Sequence, residues 1–220
     1  MSMSVRQEEA KVPQQTAGLR LFQRMSTSDI LTFLQDRKDK GDLSLDALVQ
    51  AWIELKDVRN VRKAKRVPVE QLFAHAGAKP EAWLGAALHA AQAVKRSTKG
   101  NHHLYVLMYE GYGEDGLGVG LYVGRSRYTP ERRFAQHKSG LAEQNAARRF
   151  RLDRPGKKYR PLALLPSFYG HLNPLSVPEA KVLEEALVKA MLDAGVPRDR
   201  LDGPRGIQQM TPEPEGDEQG

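Results

Sequence analysis

Two short apolar runs, "HLYVLMYE" (103–110) and "LYVG" (121–124), flank the glycine-rich stretch "EGYGEDGLGVG" (110–120). Runs rich in β-branched and aromatic residues favour strands, and glycines supply the backbone conformations of a turn, so the pair predicts a β-hairpin. That hairpin constrains the chain more than any other feature, because nearly everything before it is patterned for helices. After it, "PLALL" (161–165) predicts a third strand, Pro130 opens a helix that ends near Gly140, and "EQNAARRFR" (143–151) predicts another helix. "SVPEAKVLEEALVKAMLDAG" (176–195) is the clearest helix, with Pro178 near its start and Gly195 at its end. The expected class is α+β.

The first half reads as all-helical. "SDILTFLQDRKDKG" (28–41) offers Ser28 as a cap, sets Ile30, Leu31, Phe33 and Leu34 on one side, and stops at Gly41. "SLDALVQAWIELKDVRNVRKAKR" (44–66) places Leu45, Leu48, Val49, Trp52 and Leu55 at helical spacing. "PVEQLFAHAG" (68–77) and "KPEAWLGAALHAAQAVKR" (79–96) each open on a proline, which suits a first helical position. The expected organisation is a disordered arm over 1–18, a helical domain over 19–99, a second domain over 102–206 and a disordered acidic tail over 207–220, with "STKGN" (97–101) as hinge.

Composition narrows the function. The chain has no cysteine, which excludes disulfides and thiolate metal sites and favours a cytoplasmic protein. The longest apolar stretch, Trp83 to Val94, is too short and too interrupted to span a bilayer, and the N-terminus lacks a secretory pattern. A net charge of +7 points to polyanionic partners, with nucleic acid ahead of acidic lipid.

The helix from Pro130 sharpens that expectation. Arg133 and His137 stand at i and i+4, hence on one face, while Arg132 neighbours Gln136 and Phe134 turns elsewhere to pack. A guanidinium fork suits phosphate oxygens and growing negative charge, and an imidazole one turn on can move a proton near neutral pH. A solvated basic helix is the plain alternative. In the last helix Glu185 has Lys181 and Lys189 at i−4 and i+4, a solvated face, but Glu184 has Ala180 and Val188 there and Leu187 at i+3. Glu184 is therefore expected to face inward, where a carboxylate needs a compensating cation. Arg133 in a structural ion pair or a divalent metal ion would each serve.

"HLYVL" (103–107), "LYVG" (121–124), "PERRFAQHKSG" (130–140) and "EAKVLEEALVKAML" (179–192) resemble, in order, the motifs of the GIY-YIG nuclease superfamily over residues 103–205. The resemblance implies a small twisted antiparallel sheet flanked by helices, and cleavage of DNA phosphodiesters with bound Mg²⁺ or Mn²⁺. Tyr105 matches the first motif's tyrosine, with His103-Leu104 in place of Gly-Ile. Tyr122 and Gly124 match the second motif. Arg133 and His137 match the catalytic arginine and its histidine, with Arg132 a second candidate because the preceding loop is one residue longer. Glu184 matches the metal-binding glutamate, and Asp202 stands nearest the place of a downstream asparagine. In the implied mechanism Tyr105 or Tyr122, its phenol pKa lowered, takes a proton from the attacking water while Arg133 stabilises charge on the phosphoryl oxygens and His137 orients or relays.

Expected contacts to duplex or branched DNA are Arg125, Arg132, Lys138, Arg148, Arg149, Arg151, Lys157 and Lys158, the last five from the basic run "RRFRLDRPGKKYR" (148–160). A second basic stretch, "KDVRNVRKAKR" (56–66), belongs to the helical half, which is expected to set target choice or bind a protein partner. His102 and His103 adjoin the first motif, but neighbouring strand residues point to opposite faces and make a poor metal pair. Two other readings stay open: a nucleic-acid-binding module of the same shape without activity, and an interaction protein whose basic half is incidental.

Overall fold

The structure is a computed structural model that describes residues 22–112, 118–139 and 160–204. The expected arm, tail and 143–151 helix, and the basic residues Arg148, Arg149, Arg151, Lys157 and Lys158, lie outside the described residues.

Helix α1 (Thr27–Asp39) is capped by Ser26, not by Ser28. The Ser26 hydroxyl accepts from the Asp29 amide at 3.1 Å, and the Asp29 carboxylate accepts from the Ser26 amide at 3.1 Å. That reciprocal pair needs an acid three residues after the cap, and three residues after Ser28 stands Leu31. Gly41, at φ 72°, stops the chain just beyond the helix. Helix α2 (Leu45–Ile53) starts at Ser44 but is much shorter than its pattern predicts. A π-turn follows over Glu54–Val58, Asn60 takes a left-handed φ of 48°, and a 3₁₀ turn covers Lys63–Lys65. Burial of Glu54 explains the break. Arg59 is turned back to meet it, with Nε 2.8 Å from Glu54 Oε1 and Nη2 donating to the Phe22 carbonyl at 2.7 Å.

Helix α3 (Val67–His75) carries Pro68 in its first turn as expected. Helix α4 (Leu84–Ala93) begins four residues past Pro80 instead of on it. Residues 81 and 82 are held outside the helix by Arg200, which meets Glu81 at 3.3 Å, and by Lys56, which donates to the Ala82 carbonyl at 3.2 Å.

Strands β1 (His103–Tyr112) and β2 (Gly118–Ser126) form the expected antiparallel hairpin, with Tyr105 opposite Gly124 and Leu107 opposite Tyr122. Helix α5 (Pro130–Ser139) follows, and β3 (Arg160–Leu164) then pairs antiparallel with the other side of β1. After the short helix α6 (Pro166–Tyr169) and the long helix α7 (Val177–Asp193), the chain returns through a 3₁₀ turn to β4 (Leu201–Asp202), parallel to β2. The sheet order is β3-β1-β2-β4. The sheet is therefore mixed, and the wholly antiparallel sheet expected is corrected at β4. The class remains α+β.

Alternate strand positions make the core. Leu104, Val106, Met108, Leu121 and Val123 are fully buried on one parity, within a hydrophobic cluster that also holds Leu88 of α4 and Leu187 of α7. Helix α4 packs on α6 and α7, and α2 packs on β3 and α6, so the helical half and the sheet share that core. The stretch read as a hinge is tied down at both ends. Thr98 donates its amide to Glu179 at 2.8 Å, the Ser97 hydroxyl donates to the same carboxylate at 2.8 Å, and His102 and Leu175 exchange backbone bonds of 2.9 and 2.8 Å.

Candidate active site

Tyr105, Tyr109, Tyr122 and Gly124 fall on one face of the hairpin by the two-residue period and the β1–β2 register. Gly124 is there for space. A Cβ at that position would sit 2.6 Å from both Cζ and the hydroxyl of Tyr105 and 2.7 Å from Cε1 of Tyr122. The rings pack closely, with centroids 6.0 Å apart for Tyr105–Tyr122 and 6.3 Å, edge to face, for Tyr109–Tyr122.

Helix α5 closes over these rings. Its first turn is set by the Thr129 carbonyl, which accepts from the Arg133 amide at 3.0 Å, and one turn later His137 points into the aromatic cluster, 2% exposed. The imidazole centroid is 5.5 Å from Tyr122, 5.8 Å from Tyr105 and 6.4 Å from Tyr109. Its Nδ1 lies 2.9 Å from the Tyr109 hydroxyl and its Nε2 lies 3.3 Å from the Tyr105 hydroxyl. Arg133 donates to Gln136 at 2.6 Å and hydrogen-bonds the Tyr105 oxygen, while its Nε is buried with no partner among the described residues.

Glu184 projects inward from α7, 7% exposed, as its apolar neighbours predict. Its compensating cation is Arg125, whose Nε lies 2.9 Å from Oε2. Arg125 thus stands where an Arg133 ion pair, one of the two compensators considered, would have stood. Arg125 is the next-to-last residue of β2, on which α7 packs, whereas the Arg133 guanidinium is taken up by Gln136 and the Tyr105 phenol. Glu184 still acts on the cluster, since its charge reaches both Tyr105 and Tyr122.

Burial dominates the electrostatics. It raises the Tyr105 phenol, with the Arg133 charge and hydrogen bond opposing, and raises Tyr122 well above the usual phenol range, with Tyr105 adding to the shift. The lowered phenol pKa that the mechanism calls for is absent in both, and Tyr105 is the less displaced. Burial, helped by the Arg133 charge, lowers His137 to about 4, so the ring is neutral at pH 7. Burial also raises Glu184, opposed by Arg125.

A basic rim adjoins the cluster. Arg132 lies 4.2 Å and Arg127 5.0 Å from the Tyr128 ring centre, and Arg127 donates to the Tyr128 oxygen at 3.0 Å. Lys138 stacks on Phe134 at 5.3 Å, and Arg125, Arg132 and Lys138 are all exposed. Asp202 of β4 pairs in register with Tyr122. Among the described residues His103 and His102 form no joint site: His103 Nδ1 is buried with no partner among them, and His102 contacts Asn101 at 3.1 Å. Among the described residues no three His, Asp or Glu side chains gather as a metal cage.

Tyr109 and the role of Arg125 are what sequence reading missed. Tyr109 was discoverable, because i+4 on a strand returns to the face of Tyr105. Nothing in the sequence marks Arg125 as the partner of Glu184, 59 residues away. No protein-family model matches the chain, and no curated protein or solved structure matches it either.

Proposed function

We propose that this chain is a metal-dependent endonuclease that hydrolyses DNA phosphodiester bonds with GIY-YIG-type chemistry, in a cytoplasmic setting. The observation that carries the reading is the convergence of Tyr105, Arg133 and His137 in direct contact, with Tyr122 against them and the inward Glu184 acting on both phenols. Tyr105 is the base. It takes the proton of the attacking water as that water's oxygen bonds to phosphorus, and Arg133 stabilises the negative charge on the phosphoryl oxygens. His137, neutral and bonded to the Tyr105 hydroxyl, orients that phenol and exchanges its proton.

Mg²⁺ or Mn²⁺ takes one or two carboxylates and fills its shell with water and substrate phosphate. A lone inward carboxylate fits that donor set, and Glu184 would hold the ion. When bound, the ion supplies charge that stabilises the phosphoryl oxygens and the leaving oxygen. Duplex or branched DNA would lie along the exposed Arg125, Arg132 and Lys138, with Arg148, Arg149, Arg151, Lys157 and Lys158 as further phosphate contacts, and the helical half would choose the target or bind a protein partner.

The Arg125–Glu184 ion pair favours a second reading, because it occupies the carboxylate that the metal needs. In that reading the chain binds nucleic acid in a salt-sensitive way and turns nothing over. Plasmid nicking in Mg²⁺ or Mn²⁺ separates the two: turnover that depends on Glu184 supports the nuclease, and salt-sensitive binding with no turnover in either metal removes it.

A further inference from the structure

The His137 ring is held from two sides by phenols of the same strand, and only Tyr105 has a part in the chemistry proposed above. Tyr109 is 3% exposed, and its hydroxyl lies 2.9 Å from Nδ1, shorter than the 3.3 Å between Nε2 and the Tyr105 hydroxyl. A neutral imidazole has one N–H donor and one bare acceptor nitrogen, so each of these contacts has a direction.

The Tyr105 oxygen favours one direction. The Arg133 guanidinium acts on that oxygen and, having N–H groups and no acceptor, can only donate to it. An Nε2–H would set a further donor against the same oxygen, whereas a bare Nε2 accepts the Tyr105 proton across the 3.3 Å contact. That arrangement puts the ring proton on Nδ1, which donates to the Tyr109 oxygen across the shorter, 2.9 Å contact.

We propose that Tyr109 is a positioning residue that fixes His137 as the Nδ1–H tautomer, turning a bare Nε2 toward the Tyr105 hydroxyl. In the forward step the Tyr105 proton passes to Nε2 as the proton of the attacking water passes to the Tyr105 oxygen, so that no free phenolate forms and the imidazolium keeps its Nδ1–H on the Tyr109 oxygen. The Tyr105 O–H and one water O–H bond break, an Nε2–H and a new Tyr105 O–H bond form, and the leaving oxygen departs from phosphorus as the water oxygen bonds to it. Tyr109 acts only through His137, as an oxygen that accepts from the ring nitrogen away from the reacting group and so sets tautomer and orientation. Its service to Tyr105 rests on the nuclease reading, whereas the tautomer does not.

The test is two-bond ¹H–¹⁵N correlation of the imidazole nitrogens in the ¹⁵N-histidine-labelled full chain at pH 7, with His137→Gln identifying the ring's signals. The inference expects Nδ1 protonated and Nε2 bare in the unaltered protein. It expects Tyr109→Phe, which keeps the ring and loses the oxygen, to give mixed tautomers, and to lower kcat for Mg²⁺-dependent cleavage roughly tenfold with KM unchanged. An Nε2–H ring in the unaltered protein overturns the inference without any variant having to fold. Unchanged ring signals in a folded Tyr109→Phe protein overturn it too. If the unaltered protein cleaves no DNA, the nuclease reading fails, and the tautomer still supports or overturns the role of Tyr109 toward His137.

Discussion

Gly124 lies directly opposite Tyr105 in the β1–β2 ladder, and the phenol hydroxyl occupies the space that a side chain there would need. The glycine after the apolar run of β2 thus makes room for two tyrosines. Gly124→Ala brings a methyl group to 2.6 Å from the Tyr105 ring, and neither ring is a flexible chain end that can swing aside. The expected cost is about 1–3 kcal/mol of stability, the usual range for overpacking, together with a displaced phenol. Urea unfolding measures the first and cleavage rate the second. An alanine variant as stable and active as the parent would show that the rings have room to move.

Protonation of His137 gives the fold an acid-side weakness. The folded ring has a pKa of about 4, below its ordinary 6.5, so between those values the unfolded chain binds the proton more readily. Stability contributed by the neutral ring is therefore complete above pH 6.5 and is lost as pH falls toward 4, by up to about 3 kcal/mol. Denaturant unfolding at pH 7, 6, 5 and 4.5 should show that decline, and His137→Gln should flatten it. Equal slopes in both proteins would contradict the assignment.

Arg59 pairs with Glu54, whose side chain is only 6% exposed, and also ties the π-turn to Phe22. Arg59→Ala strands a buried carboxylate and should cost about 3 kcal/mol, with much of the loss recovered by adding Glu54→Gln. Urea midpoints of the two variants check this. A loss near zero in the single variant would mark the pair as a solvated one.

Legibility followed the distance over which each feature is encoded. The hairpin, β3, α5 and the last helix were readable, because residues close in sequence specify their period and their ends: Pro178 and Gly195 bracket α7 at its first turn and just past its end. The break after Ile53 was hidden, since it depends on Glu54 being buried and Arg59 folding back to it, which periodicity cannot show. Strand β4 was also hidden. Two residues carry no pattern, and their pairing with Leu121 and Tyr122 is set by where α7 delivers the chain.

The candidate site divides in the same way. Helical spacing put Arg133 and His137 on one face and turned Glu184 inward, both from neighbours within four residues. The partner of Glu184 and the second phenol on His137 depend on contacts across 59 and 28 residues. Burial also reversed the expected direction for the phenols, because a strand tyrosine's depth is a property of the packed cluster and not of its own motif.

Single-turnover cleavage of supercoiled plasmid in Mg²⁺, with the parent protein beside Arg133→Ala and Glu184→Ala, tests the central claim most directly. The account predicts metal-dependent strand cleavage by the parent and a loss of roughly 100-fold or more in each variant, with both still folded. Cleavage that persists in both folded variants, or a parent that binds DNA and never cuts it in Mg²⁺ or Mn²⁺, would contradict it.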